Sequence, residues 1–317
     1  MTSFPKLRID EYAMVYLEDT DRALPTKINQ NTRYAYFKTI AKGGKSLIQS
    51  CKDMHLGRTI CYKKLLPEFA DDPIEQQRFL REARVSAMLQ HPNTVPTYEV
   101  GRDSRGAYFF TMKLVHGYTF REVLNYRDRY DLSRLIDVVV QVAYALEYAH
   151  GHRVIHRDIK PENILVGPYG EVLVLDWGLA KVWSAAASKN SQLDSSPATN
   201  LDDPIGSITG QGKLQGTITY MSPEQIRRDP QIDHHTDVFS LGVVLYEVLA
   251  NRTPALAETV GEMRDATLNA TPPRISAVTS AHVPKLLEDL AMACLAKDPE
   301  ARPDGCAEMI RLLQEAW

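Results

Sequence analysis

The 317-residue sequence predicts an α+β protein in which a small strand-rich part precedes a larger helical part. Apolar and polar residues alternate over most of the stretch from Arg33 to Met112, which is typical of half-buried strands. After Lys113 the apolar residues recur at helical spacing over longer segments. Residues 1–32 are mixed and polar, and we expect them to form an N-terminal extension.

One helix interrupts the strand-rich part. Asp72 is a suitable N-cap, Pro73 is favoured at the first helical position, and Glu75 completes the pattern of a capping box. We expect this helix to end near Gln90, because Pro92 disfavours helical geometry at the residue before it.

The second part contains several apolar segments that are long enough for helices. Two short strands, at residues 162–166 and 172–176, are predicted on either side of a glycine-rich turn. The predicted helices cover residues 132–150, 236–250, 283–296 and 303–316.

The composition excludes several classes of protein. Lys and Arg number 37 against 40 Asp and Glu, so neither a strongly basic nucleic-acid binder nor a protein drawn to anionic membranes is expected. The four cysteines show no C-x-x-C spacing, which favours free thiols in a reducing compartment. No signal-peptide pattern follows Met1, and the longest apolar stretch is too short to span a bilayer. We therefore expect a cytoplasmic chain without a membrane partner.

The decisive motif is His156-Arg157-Asp158-Ile159-Lys160-Pro161-Glu162-Asn163, which is followed by Asp176-Trp177-Gly178. With these motifs the chain resembles the eukaryotic-like (Hanks-type) Ser/Thr protein kinases, in their bacterial subset, over roughly residues 33–316. The resemblance implies a bilobal protein kinase fold with a small antiparallel-sheet N-lobe, one main helix in that lobe, and a large helical C-lobe. The implied N-lobe is residues 33–112, the C-lobe is residues 113–317, and the activation segment is residues 176–224.

The resemblance also implies the reaction, which is transfer of the γ-phosphate of ATP to Ser or Thr hydroxyls of proteins. Asp158 would accept the proton of the hydroxyl, Lys160 would place a cation beside the phosphate, and Asn163 and Asp176 would bind Mg²⁺ or Mn²⁺. Asp158 alone could be a loop carboxylate paired with Arg157, but the other three residues make this alternative weak. Lys160 favours a Ser/Thr kinase, because the tyrosine branch of the family lacks a lysine there.

Lys63, in Ile60-Cys61-Tyr62-Lys63, would hold the α- and β-phosphates and pair with Glu82. Lys64 is the alternative candidate for this phosphate-binding lysine, and strand periodicity alone does not distinguish the two. The position of the lysine in the family motif indicates Lys63. Cys61 would lie above the adenine, where we favour a small core residue over a reactive thiol.

The glycine-rich loop, Ala41-Lys42-Gly43-Gly44-Lys45-Ser46, departs from the family pattern, because only its middle glycine is in place. We expect weaker ATP affinity or a looser lid, since backbone amides must approach the phosphates closely there. The residues implied to bind ATP are Ile40, Ala41, Gly43, Gly44, Ser46, Ile48, Cys61, Lys63, Met112, Lys113, Val115, Leu165 and Asp176.

The segment before Ser222-Pro223-Glu224 would position the substrate and regulate the enzyme. Thr217 would hydrogen-bond Asp158 and Lys160, while Arg157 and Lys181 would bind a phosphate on the activation loop. Thr209 is the expected autophosphorylation site and Ser207 the second candidate, within a Ser- and Asp-rich stretch expected to be a mobile loop. A homodimer would allow this reaction to occur in trans.

Two alternatives stay open. The altered glycine-rich loop is compatible with a pseudokinase, a nucleotide-binding scaffold that has lost turnover. A small-molecule kinase is disfavoured, because Thr217, Glu224 and Arg302 belong to features that serve peptide binding.

Glu162 is an acidic residue that would favour basic residues in a substrate peptide, although one carboxylate is weak evidence for specificity.

Overall fold

The computed structural model describes residues 33–182 and 218–316. Within these ranges the chain forms two compact units. The sheet unit contains residues 33–90 and 95–117, and the helical unit contains residues 91–94, 118–182 and 218–316.

The sheet unit is built on an antiparallel five-stranded sheet in the order β1-β2-β3-β5-β4. Helix α1 (Pro73–Met88) packs on β4 and β5. The strands are β1 (Tyr34–Lys42), β2 (Ser46–Asp53), β3 (Arg58–Leu65), β4 (Thr97–Arg102) and β5 (Tyr108–Lys113).

The start of α1 follows the sequence prediction. The Asp72 carboxylate accepts hydrogen bonds from the backbone N–H groups of Ile74 and Glu75 at 2.9 and 3.2 Å, so the predicted N-cap is confirmed. The carboxylate of Glu75 does not close a capping box; it accepts hydrogen bonds from Lys45 and Arg78 instead. Lys45 and Arg78 are charged donors, so they bind the carboxylate more strongly than a neutral backbone N–H group would.

The two faces of the sheet carry separate apolar clusters. On one face Tyr62 stacks on Phe109, with ring centroids 4.6 Å apart. On the other face Phe110 packs against Phe79 of α1, with centroids 5.1 Å apart. Because successive side chains of a strand point to opposite faces, Lys63 lies on the face that α1 covers.

The helical unit is organised around α5 (His235–Ala250), in which every residue is buried. Helices α3 (Leu132–Gly151) and α8 (Lys285–Cys294) pack against α5, and α9 (Cys306–Glu315) packs against α3. Gly242 permits the close approach of α8, because a Cβ atom at this position would lie 2.3 Å from the Cβ of Cys294. The other helices described in this unit are α2 (Phe120–Asn125), α4 (Pro223–Arg227), α6 (Val260–Asn269) and α7 (Ile275–Val278).

Short strands in the helical unit hold the loops that carry the candidate catalytic residues. Strands β6 (Tyr118–Thr119), β8 (Ile164–Val166) and β9 (Val172–Val174) form a small sheet in the order β6-β8-β9. Strand β7 (Val154–Ile155) pairs with β10 (Lys181–Val182).

The predicted α+β class is confirmed, and so are the long helices of the second part. The helix at 132–150 is Leu132–Gly151, and that at 236–250 is His235–Ala250. The two predicted strands are shorter than expected, and α2, α4, α6 and α7 are elements that the sequence patterns do not predict. No helix within the described ranges has the length and apolar character needed to span a membrane.

Candidate active site

The loop that carries Asp158 is anchored by a buried carboxylate of α5. Asp237 accepts hydrogen bonds from the backbone N–H groups of His156 and Arg157 at 2.8 and 2.9 Å, and the Nε2 atom of His150 lies 2.8 Å from its Oδ2. Burial alone would raise the pKa of Asp237, but these hydrogen bonds and the neighbouring histidines lower it. Asp237 therefore fixes the backbone on which Asp158 is mounted.

Asp158 is held by two side chains from its own loop. The Nζ atom of Lys160 lies 2.8 Å from both carboxylate oxygens, and the Asn163 amide donates to Oδ2 at 2.8 Å. The same amide nitrogen also donates to the backbone carbonyl of Asp158 at 2.8 Å. The loop thus brings together three of the predicted catalytic residues and fixes the direction of the carboxylate.

The charge environment of Asp158 includes a second carboxylate. Burial raises the pKa of Asp158, Lys160 opposes this effect, and the negative charge of Asp176 raises the pKa further. Asp176 follows β9 in a left-handed backbone conformation, with a φ of 59°, and accepts a hydrogen bond from the N–H of Gly178 at 3.3 Å. The helical unit therefore concentrates two acidic groups beside Asn163.

This donor set fits a magnesium ion. Mg²⁺ prefers hard oxygen ligands, and Asp176 offers a carboxylate while Asn163 offers an amide carbonyl. The amide nitrogen of Asn163 faces Asp158, so the opposite end of the amide is the one available for a cation. A divalent ion bound there would also reduce the repulsion between Asp158 and Asp176.

Trp177 and His156 connect the loops that carry Asp176 and Asp158. Their rings meet edge to face with centroids 4.5 Å apart, and the Nε2 atom of His156 lies 2.9 Å from the carbonyl oxygen of Leu175. This ring contact links the loop that carries Asp176 to the loop that carries Asp158.

In the sheet unit, Lys63 and Lys64 take different partners. The Nζ atom of Lys63 lies 2.5 Å from Oε1 of Glu82, and both side chains are only 11% exposed. Lys64, on the opposite face of β3, pairs with Asp103. The ion pair between Lys63 and Glu82 that the family resemblance predicts is thus present, on the face of the sheet that α1 covers.

The β1–β2 hairpin carries most of the other candidate nucleotide contacts of the sheet unit. Its turn is closed by a hydrogen bond of 2.8 Å from the N–H of Gly43 to the carbonyl of Ser46. Lys45 links the hairpin to α1 through an ion pair with Glu75 at 2.8 Å. The remaining candidates on this hairpin are Ile40 and Ala41 on β1, Gly44 in the turn, and Ile48 on β2.

Cys61 is buried on β3, directly opposite Met112 of β5. Burial raises the pKa of its thiol to about 11, which keeps the thiol protonated and supports the interpretation of Cys61 as a small core residue. Lys113 ends β5, and its N–H donates to the carbonyl of Pro96 at 3.0 Å. Val115 follows in the sheet unit, whereas Leu165 lies on β8 of the helical unit.

The residues expected to bind an activating phosphate contact backbone carbonyls. The Nε of Arg157 donates to the carbonyl of Leu179 at 2.6 Å, and the Nζ of Lys181 donates to that of Pro230 at 3.1 Å. Ser207, Thr209, Thr217 and the predicted mobile loop lie outside the described residues.

Glu224 and Arg302 form a buried bidentate ion pair with N–O distances of 2.7 and 2.9 Å. The hydroxyl of Thr236 also donates to Glu224 at 2.7 Å. Burial would raise the pKa of Glu224, but Arg302 outweighs that effect and lowers it. This pair joins α4, which contains Glu224, to the segment that precedes α9.

One charged cluster of the helical unit is absent from the sequence predictions. It joins Arg121 of α2 to Glu162, Tyr220 and Glu247. The local signal for α2 is present, since Thr119 and Glu122 form a reciprocal capping box at its start.

A carboxylate oriented by a lysine and an amide, beside a second carboxylate suited to a metal ion, is the arrangement that phosphoryl transfer requires. Residues 34–317 match the model of the protein kinase domain. The chain belongs to the protein kinase domain family, which uses ATP with a divalent metal and acts on proteins. The resemblance predicted from the motifs is confirmed.

Relatives with this similarity include three proteins named serine/threonine-protein kinase PknD. The protein from Protochlamydia amoebophila is 33% identical over 295 residues, which are 89% of this chain and 30% of the relative. The protein from Chlamydia felis is 30% identical over 293 residues, 87% of this chain and 30% of the relative. The protein from Chlamydia trachomatis serovar D is 29% identical over 298 residues, 89% of this chain and 31% of the relative. The chain thus spans about 30% of the length of these relatives.

Proposed function

We propose that this chain is a protein kinase that transfers the γ-phosphate of ATP to Ser and Thr hydroxyls of proteins. The observation that carries the proposal is the position of Asp158, whose carboxylate is fixed by Lys160 and Asn163 next to the charge of Asp176. The names of the PknD relatives support the Ser/Thr specificity.

In this proposal Asp158 acts as the base for the acceptor hydroxyl. The hydroxyl oxygen forms a bond to the γ-phosphorus while its proton passes to Asp158. The bond between the γ-phosphorus and the bridging oxygen breaks, and ADP leaves with that electron pair. Lys160 offsets the negative charge of Asp158 and of the phosphoryl group, because its Nζ already lies 2.8 Å from the carboxylate.

The proposed nucleotide and metal ligands are the residues that the family motifs indicate. Lys63, oriented by Glu82, would bind the α- and β-phosphates. Asn163 and Asp176 would hold Mg²⁺, or Mn²⁺ in its place, and the ion would neutralise phosphate charge when bound. The remaining proposed ATP contacts are Ile40, Ala41, Gly43, Gly44, Ser46, Ile48, Cys61, Met112, Lys113, Val115 and Leu165.

The proposal extends to regulation. Autophosphorylation of Thr209, or of Ser207, in a homodimer would give Arg157 and Lys181 a phosphate that can replace their present carbonyl partners. Thr217 would contact Asp158 and Lys160. We also propose that the N-lobe is residues 33–112, that the C-lobe is residues 113–317 after an extension of residues 1–32, and that the chain acts in the cytoplasm.

The test is autophosphorylation with magnesium-ATP, measured by intact mass on the parent chain and on Asp158→Asn. We expect phosphate on the parent and none on the variant, since the amide cannot accept the proton. Peptide mapping would then locate the modified residue, and Thr209→Ala would test the predicted position.

Two other results of this experiment would contradict the proposal in different ways. Absence of phosphate on both proteins, together with ATP-dependent thermal stabilisation of the parent, would favour the pseudokinase alternative. Equal phosphate on both would identify a contaminating kinase as its source, and the role assigned to Asp158 would then be unsupported. Thermal unfolding of Asp158→Asn without ATP is the folding control.

A further inference from the structure

Arg121 is the centre of a charged cluster in the helical unit. Its Nε donates to Oε1 of Glu162 at 2.8 Å, and its Nη1 and Nη2 donate to the two carboxylate oxygens of Glu247 at 2.5 and 3.2 Å. Nη2 also donates to the hydroxyl of Tyr220, which in turn donates to Oε2 of Glu247 at 2.6 Å. One guanidinium therefore bridges two carboxylates.

The cluster adjoins the segments that the proposed function assigns to the acceptor. Glu162 lies two residues after Lys160 in the loop that carries Asp158, and Tyr220 lies three residues after Thr217. The Glu162 side chain is 46% exposed and that of Arg121 is 28% exposed, whereas Glu247 is only 11% exposed. A substrate side chain that reached Glu162 would therefore meet Arg121 at the same place.

The charges oppose binding of a basic substrate residue there. Without Arg121, Glu162 and Glu247 would present two negative charges to a substrate cation, which is an arrangement suited to arginine. With Arg121 in place, both carboxylates already accept hydrogen bonds from a guanidinium. The neighbouring hydroxyl does not add a negative charge, because burial and then the charge of Glu247 raise the pKa of Tyr220.

We propose that Arg121 is a specificity-determining residue, which fills from within the chain an acidic subsite that would otherwise select a basic residue of the protein substrate. The enzyme consequently accepts acceptor sequences without an adjacent arginine, and an arginine there gives no advantage. This inference rests on the proposed kinase function, and it replaces the expectation that Glu162 favours basic substrates. Arg121 acts on the choice of substrate and takes no part in the transfer itself.

The experiment compares matched peptides that share one Ser acceptor and carry either Ala or Arg at each of several flanking positions. For the parent chain we expect kcat/KM ratios of Arg to Ala peptides within about twofold at every position. For Arg121→Gln, which keeps hydrogen-bond donors beside Glu247 and Tyr220, we expect a gain of about tenfold for Arg at one position. The double variant Arg121→Gln with Glu162→Gln should lose that gain, because the exposed carboxylate is then neutral.

Several results would overturn the inference. One is a parent chain whose kcat/KM is already about tenfold higher for an Arg peptide than for its Ala match, if Glu162→Gln abolishes that difference. This measurement does not depend on the folding of Arg121→Gln. Another is a folded Arg121→Gln that phosphorylates the alanine peptides with an unchanged ratio. The alanine peptides also separate the two proposals: no transfer to any peptide and no autophosphorylation by the parent would overturn the kinase function itself, whereas transfer with unchanged preference overturns only the role of Arg121.

Discussion

Lys160 lies with its Nζ 2.8 Å from each of the two carboxylate oxygens of Asp158. Both side chains are largely shielded from water, with exposed fractions of 16% and 10%, so the interaction is weakly screened. A cation in this position opposes the rise in the pKa of Asp158 that burial causes, and in the proposed reaction it would also lie beside the transferred phosphate.

Replacing Lys160 should therefore slow the transfer more than it weakens nucleotide binding. For Lys160→Met we expect kcat to fall by about 10²–10³-fold, the usual cost of removing one preorganised electrostatic contact. The KM for ATP should change much less, because the proposed phosphate ligand is Lys63. Steady-state kinetics on a peptide would measure both constants, and a large rise in KM at unchanged kcat would contradict the role given to Lys160.

The neighbouring lysines of β3 offer a matched pair for the nucleotide site. Lys63→Met removes the cation paired with Glu82, whereas Lys64→Met removes one paired with Asp103 on the opposite face. We expect Lys63→Met to abolish most of the thermal stabilisation by magnesium-ATP, and Lys64→Met to retain it. Thermal shift with and without nucleotide measures this difference, and equal losses in both variants would show that charge alone, and not position, matters.

The local patterns of the sequence predict capping better than they predict ion pairs between distant residues; the pair of Lys63 and Glu82 was expected only from the family resemblance. The N-cap Asp72 could be predicted because its hydrogen bonds go to the next residues of the same chain segment. The carboxylate of Glu75 could not be placed in the same way, because Lys45 comes from a different hairpin. Helix α2 was missed although the capping box of Thr119 and Glu122 marks its start.

The candidate site shows the same difference between contacts within one chain segment and contacts between distant segments. The order of the motifs indicated Asp158, Lys160 and Asn163, whose contacts lie within one short loop. The partners of Arg121 lie 41, 99 and 126 residues away in the sequence, so no local pattern could reveal them. The contacts of Arg121 form only because the fold brings α2, the loop of Glu162 and α5 together.

The buried pair of Glu224 and Arg302 should make stability depend on pH. For Arg302→Met we expect a loss of about 3–5 kcal/mol in the free energy of unfolding at neutral pH, because Glu224 is left without its counter-ion. The folded-state pKa of Glu224 lies below its ordinary value of 4.5, so the pair stabilises the protein above that pH. This stabilisation is lost as the pH falls through the folded-state pKa.

Denaturant unfolding at a series of pH values tests this sign. The difference between the parent and Arg302→Met should be largest near neutrality and should shrink under acid conditions. A difference that stays constant or grows as the pH falls would contradict the lowered pKa of Glu224 in the folded parent.

A larger residue at Gly242 should destabilise the protein, because α5 and α8 meet there. A Cβ atom at this position would lie 2.3 Å from the Cβ of Cys294, and α5 is buried on all sides. We expect Gly242→Ala to lower the free energy of unfolding by about 1–3 kcal/mol through overpacking.

Gly261 in α6 is the matched control, since the atom nearest to an added Cβ there is the Thr259 hydroxyl oxygen, at 4.0 Å. Gly261→Ala should be neutral or stabilise the protein by about 0.4–1 kcal/mol, because alanine reduces the entropy of the unfolded chain. Denaturant unfolding of both variants compares the two sites directly, and equal effects would contradict the close packing of α5 against α8.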